Sequence, residues 1–232
     1  VQRKRLLLLA AALGAAAVLA VVLIGLGASG HSKAVAPTTT RAEPAAKAST
    51  LKGVPQHGDT LGLATAPATI TVFEDPQCPF CRQWALDTLP TVVARYVRTG
   101  RVKLVYRGIE IVGPNSVQGL RAIYAAGQQN KLWNMVEELY RRQGTENSGW
   151  ITDAIIREAA GANGANGAAI LAASNSAAVN AALNQAANEA TADGVRGTPT
   201  FVMLRPPGLP QQLSVPALDP ASFTASLDAA LQ

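Results

Sequence analysis

Cysteine is nearly absent from the 232-residue chain, which holds only Cys78 and Cys81. That scarcity excludes a scaffold held by several disulfides and any zinc site built on three or four thiolates. Histidine is equally scarce, with His31 and His57 alone. Both precede the cysteines and stand far apart, the wrong spacing for a two-cysteine, two-histidine finger. Charged residues are few, at 15%, and hydrophobic residues reach 48%, so a chain disordered throughout is excluded. The folded part also lacks an excess of positive charge. Of the net +5, residues 1–52 carry seven Lys/Arg against Glu43 alone, and the remainder is close to neutral. A nucleic-acid-binding domain carries its excess on the folded part, so no nucleic-acid partner is expected.

What the chain does have begins at its N-terminus. Arg3-Lys4-Arg5 precedes Leu6 to Ala28, a run without charge or a strongly polar side chain. As a helix it would span about 35 Å, slightly more than a bilayer core. The basic cluster predicts a cytoplasmic N-terminus with the rest of the chain exported. A cleaved signal peptide is the alternative. Its apolar region is usually about 7–15 residues and ends in a small-x-small site, for which Ala28-Ser29-Gly30 would serve. The length favours a retained single-pass anchor over residues 1–28. Both readings place the remainder outside the cytoplasm. Residues 29–56 mix Ser, Thr, Ala, Pro and Lys without a period and read as a tether, with a reach of roughly 30 Å.

Residues 57–232 read as one α/β domain. Ala68 to Phe73 is β-branched and apolar, a buried strand stopped by Pro76. Pro79 occupies a favoured first-turn position of a helix. Trp84, Leu86, Leu89, Val92, Val93 and Tyr96 follow at helical spacing, and Gly100 closes that helix. Val102 to Tyr106 is a second strand, so the unit is βαβ with a parallel pair. Residues 115–193 then read as helical: one helix around Leu120 to Tyr124, one around Leu132 to Leu139, a third from Trp150 to Ala160. Residues 161–192 read as a loop leading into one weakly apolar helix. Thr200 to Leu204 is a strand, with Gln211 to Val215 as its hairpin partner across Pro206-Pro207-Gly208. Asp219-Pro220 starts a last helix.

Cys78-Pro79-Phe80-Cys81 stands at the strand-to-helix junction. A cysteine at a helix N-terminus meets unpaired N–H groups and the positive end of the macrodipole, and both favour thiolate. The thiolate is the nucleophile of disulfide exchange. Cys81 lies one turn further in and would resolve a mixed disulfide formed at Cys78. Two other readings stay open. A structural disulfide closing so short a loop would contribute only about 2 kcal/mol. Two thiolates could also hold Cu(I), but further ligands are sparse: His57 reads as an exposed loop residue and Met135 as core, while Met203 is remote in sequence. Gly197-Thr198-Pro199-Thr200 opens the late strand. It reads either as a simple turn or as a cis-proline loop whose Thr198 backbone pairs with a substrate peptide as an added strand.

Together these segments resemble the DsbA-like thiol–disulfide oxidoreductases of the thioredoxin superfamily. The residues that carry the likeness are Phe73 to Cys81, Tyr106-Arg107, Lys131-Leu132-Trp133 and Gly194 to Phe201. The resemblance implies a thioredoxin fold, a central mixed sheet flanked by helices, with a helical insertion at about 115–193. It implies Cys78 as nucleophile, Cys81 as resolving cysteine, Pro79 and Phe80 as the tuning pair, and Pro199 as a cis-proline preceded by Thr198. The redox group is the Cys78–Cys81 disulfide, with no bound cofactor or metal. The implied partners are reduced or misoxidised exported proteins and a membrane thiol oxidase or reductase; disulfide donation to exported proteins is the expected function, with a disulfide reductase or isomerase as the alternative direction. With the apparent anchor, the chain looks like the membrane-anchored members. One position departs from the pattern: the buried acid six residues before the first cysteine is replaced by Val72. Glu74, on the same strand face, and Asp75, nearer the motif, are candidates for the missing proton relay. The ordinary expectation for each is a solvated loop-edge carboxylate. A tethered metallochaperone, or an adaptor with a structural disulfide, is the alternative from another class.

Overall fold

The computed structural model describes residues 49–232. The expected anchor over residues 1–28 and the tether up to residue 48 lie outside them. Among the described residues, no helix is long and apolar enough to cross a membrane. The packed part begins earlier than residue 57. Leu51 and Val54, read as tether, are buried in the core.

Among the described residues, six strands form one mixed sheet in the order β1-β2-β4-β3-β5-β6. They are β1 Gln56–His57, β2 Thr60–Leu61, β3 Ala68–Glu74, β4 Val102–Gly108, β5 Thr200–Leu204 and β6 Gln211–Gln212. Strands β3 and β4 run parallel, in register from Ala68 opposite Val102 to Glu74 opposite Gly108. The other pairings are antiparallel. A parallel pair covered by helices on both faces reads as a nearly continuous apolar run, which is why β3 was legible. The β1–β2 hairpin was not, because its strands are two residues each and polar. The partner expected over residues 211–215 pairs only through Gln211 and Gln212.

Helix α1 covers residues 79–97, but not as a regular α-helix. Pro79–Gln83 leads into a π-helical turn, Trp84–Thr88, and Leu89–Val92 leads into a second, Val93–Val97. The Leu89 N–H bonds to the Trp84 carbonyl five residues back. Pro90 then has no N–H to return to the previous turn, so the wide turn sits where the ladder is already broken. The Thr88 hydroxyl leaves the helix and donates to the Leu218 carbonyl.

The helical block comprises α2 Ser116–Gly127, α3 Leu132–Arg141, α4 Asp153–Ala162, α5 Gly167–Ala173 and α6 Ala177–Ala192, and α7 Pro220–Ala230 closes the domain. Residues 161–192 hold two helices where one was expected. Asn166 accepts from Ala169 N and Ser176 from Val179 N, and each side chain caps its own helix. Arg107 on β4 joins the block to the sheet. Its guanidinium donates to both Glu189 oxygens on α6 and to Asp59 in the β1–β2 turn.

Candidate active site

Three elements meet around the two cysteines. β3 ends at Glu74, and Asp75-Pro76-Gln77 turn the chain into α1. Cys78 is the N-cap of α1, with extended backbone angles (φ −70°, ψ 121°) and Pro79 following it. Its N–H donates to the Asp75 carbonyl (3.0 Å), and its own carbonyl accepts from Arg82 N (3.1 Å). Thr198 and Pro199, joined by a cis peptide bond, come from the loop before β5. The Cys78 thiol donates to the Thr198 carbonyl at 3.2 Å. The expected cysteines, Thr198 and Pro199 are therefore brought to one place, and Phe80 stands beside them with 61% of its surface exposed.

The two sulfurs differ in chemistry. Cys78 is lowered to about 6. The first cause is the hydrogen bond from the Cys81 thiol; burial opposes it, and the influence of Thr198 and the N–H groups of Cys81 and Phe80 add to it. Cys81 is fully buried. Burial first, then its bond to Cys78 and the charge of Glu74, hold its thiol well above the ordinary range. At neutral pH the pair is therefore one thiolate that keeps 5% of its surface exposed and one fully buried thiol.

Glu74 and Asp75 depart from the solvated expectation, since neither has any exposed surface. Glu74 follows Val72 on the same face of β3. It is pushed up to about 8, chiefly by burial, against the hydrogen bond from Tyr140 and the influence of the Trp84 indole; the charge of Cys78 raises it further. Oε2 accepts from the Tyr140 hydroxyl at 2.9 Å. Oε1, Trp84 Nε1 and the Tyr106 hydroxyl have no protein hydrogen-bond partner. Gly108, opposite Glu74 in the parallel register, leaves the room this cluster needs. A Cβ there would stand 2.8 Å from Tyr106 Cε1 and 2.5 Å from Leu120 Cδ2. Asp75 is differently occupied. Its carboxylate accepts from Gln77 N, Ser116 Oγ, Ile111 N and Val112 N, at 2.7–2.9 Å. Four donors make it a structural clamp on the loop before α2, and Glu74 is the carboxylate that shares its charge with the cysteines.

The insertion contributes residues that sequence reading missed. Tyr140 reaches Glu74 Oε2 and the Asp75 carbonyl. Gln143 Nε2 donates to the Pro76 and Cys78 carbonyls (3.0 and 3.1 Å), and Asn147 brackets the side chain of Gln77. In the sequence Tyr140 is one more apolar-face aromatic of a helix, and no spacing ties it to a cysteine pair on another element. The sparse ligands of the metal reading stay dispersed: His57 is exposed on β1 and Met135 is core. Among the described residues, no group of three or more His, Cys, Asp or Glu side chains could hold a metal ion.

Residues 56–204 match the family described as Thioredoxin. The probable disulfide bond formation protein D of Bacillus cereus is 31% identical over 99 residues, covering 42% of this chain and 46% of that protein. The chain thus spans about half the length of the curated relatives it matches. The crystal structure of oxidised BdbD from Bacillus subtilis superposes with a TM-score of 0.64 at 17% identity, over 77% of this chain and 97% of that one. A thioredoxin-like oxidoreductase from Silicibacter pomeroyi gives 0.57 at 26% identity, over 80% and 98%.

Proposed function

The chain belongs to the thioredoxin family, and from that premise we propose that it is a DsbA-like, extracytoplasmic thiol–disulfide oxidoreductase that donates disulfides to exported proteins. The observation that carries the reading is the asymmetry of the sulfurs. Cys78 caps α1 as a stabilised thiolate with 5% of its surface exposed, and Cys81 is fully buried with its proton held.

The cycle starts from the Cys78–Cys81 disulfide. A substrate thiolate attacks Cys78 Sγ, the S–S bond breaks, and Cys81 leaves with the electron pair. Cys81 then takes a proton, which Glu74, protonated at neutral pH, supplies. A second thiolate of the substrate attacks the substrate sulfur of the mixed disulfide, and Cys78 leaves as thiolate. Two electrons have passed from the substrate dithiol to the pair. The low Cys78 value makes this last departure fast and stabilises the reduced form. The Thr198-Pro199 loop offers backbone for an extended peptide, and Phe80 offers an apolar contact. A membrane thiol oxidase returns the pair to the disulfide. The Leu6–Ala28 run and its basic flank support anchoring, with the catalytic domain outside the cytoplasm.

The redox equilibrium of the full chain against glutathione tests this. A potential more oxidising than about −180 mV supports a donor, and one near roughly −270 mV turns the protein into a reductase. A value below about −300 mV makes the disulfide a structural staple and overturns the catalytic reading.

A further inference from the structure

Tyr140 stands in the last turn of α3, inside the insertion and buried. Its hydroxyl has two acceptors within reach, Glu74 Oε2 at 2.9 Å and the Asp75 carbonyl oxygen at 3.1 Å. A phenol carries one proton and can also accept, so it does not serve both at full strength. The Asp75 carbonyl is at the same time the acceptor of the Cys78 N–H, at 3.0 Å.

Two arrangements satisfy these atoms. With Glu74 ionised, the carboxylate is the stronger acceptor and takes the Tyr140 proton. With Glu74 protonated, the carboxyl O–H donates to the phenol oxygen, and the phenol proton turns to the Asp75 carbonyl. That carbonyl then accepts twice, and its bond to the Cys78 amide changes. The geometry points to Tyr140 as a two-position hydrogen-bond switch, a positioning residue that couples the proton on Glu74 to the peptide group holding Cys78. The inference rests on the reading of Glu74 as the proton carrier for Cys81.

The groups facing Glu74 are Tyr140 from α3, Tyr106 from β4, and Cys78, Cys81 and Trp84 from α1 and its cap. β5 brings no titratable side chain. Both tyrosines are held well above their usual range by burial. In the disulfide form neither cysteine titrates, so Glu74 is the member of this cluster that changes charge near neutral pH.

The test is a pH titration of the oxidised full chain by NMR, following the Glu74 carboxyl carbon and the Cys78 amide together. The Cys78 amide shift is expected to follow the Glu74 midpoint. In Tyr140→Phe that response is lost, and the Glu74 midpoint rises by about one pH unit because the donor to its charged form is gone. The pH profile of disulfide reduction by glutathione moves with it, and in a Glu74→Gln background Tyr140→Phe moves nothing further. If the Cys78 response and the Glu74 midpoint both survive Tyr140→Phe, the switch is overturned and Glu74 keeps its role. If Glu74→Gln has the rate profile of the unaltered protein, both readings fall. Should Tyr140→Phe not fold, the unaltered chain still decides: a Cys78 amide indifferent to the Glu74 midpoint overturns the switch.

Discussion

The carbonyl oxygen of Thr198 lies 3.2 Å from the sulfur of Cys78, so the peptide bond before the cis-proline touches the atom at which exchange would occur. The two residues are 120 positions apart and meet because β5 pairs antiparallel with β3. Anything that docks on this backbone as an added strand arrives against the sulfur.

The first prediction concerns what sets the Cys78 value. Ultraviolet thiolate absorbance of the reduced protein should titrate with a midpoint of about 6. The leading cause is the Cys81 thiol, so Cys81→Ala should move the midpoint upward, toward the ordinary thiol range. If the helix terminus and Thr198 did the lowering, Cys81→Ala would leave it in place.

The second prediction is a pH dependence of stability that differs between the two redox forms, because Glu74 contributes to both and Cys78 to the reduced one alone. Glu74 is raised to about 8 when folded, against 4.5 as its ordinary value. Between those values the native state binds more protons than the unfolded chain, so the oxidised protein should lose stability as pH rises through that window. Cys78 is lowered from 9.0 to about 6. The reduced native state therefore binds fewer protons between about 6 and 9, and this contribution grows with pH. The stability of the reduced form relative to the oxidised form should increase across that range. Urea unfolding of both forms at pH 5, 7 and 8.5 checks it, and Glu74→Gln should flatten the oxidised profile.

The third prediction tests the room beside Glu74. In Gly108→Ala the new methyl meets Leu120 and the Tyr106 ring at overlapping distances. Overpacking of a tight core costs about 1–3 kcal/mol, and thermal unfolding should report a loss of that size. A neutral result would mean that Tyr106 can withdraw from the Glu74 cluster.

The fourth prediction separates the two acids. Asp75→Asn replaces one accepting oxygen by an NH2 group facing N–H donors. Orphaned buried groups cost about 1–3 kcal/mol each, so the variant should be markedly destabilised. Glu74→Gln should instead leave the Asp75 clamp intact and act on the pH dependence of exchange.

Much of the frame was legible because β3, β4 and β5 are short apolar runs bounded by Pro and Gly, and α1 carries a helical period. The cysteine pair and Gly197-Thr198-Pro199 were legible as local motifs. Glu74 was not. Alternation along β3 places it on the face of Val72, but whether that face is wet depends on α3, which packs over it and is named by nothing in the strand. Tyr140 is a further case, in which a helix assigned only to the core also bonds to the turn before Cys78, and Gln143 and Asn147 do the same from the loop after that helix. The π-helical turns of α1 escaped because the apolar spacing around Pro90 fits an ordinary helix nearly as well.

Arg107 draws together a turn near the start of the domain, a central strand and the last helix of the insertion. Its guanidinium is largely enclosed, whereas each carboxylate keeps about a third of its side chain exposed (10% against 35% and 35%). Peeling the insertion from the sheet would strip that cation of a bidentate partner while its stem stays packed in β4. The helical block is therefore not a detachable module. Circular dichroism, dominated by the helices, and tryptophan fluorescence, reporting on Trp84, Trp133 and Trp150, should lose their signals in a single coincident transition.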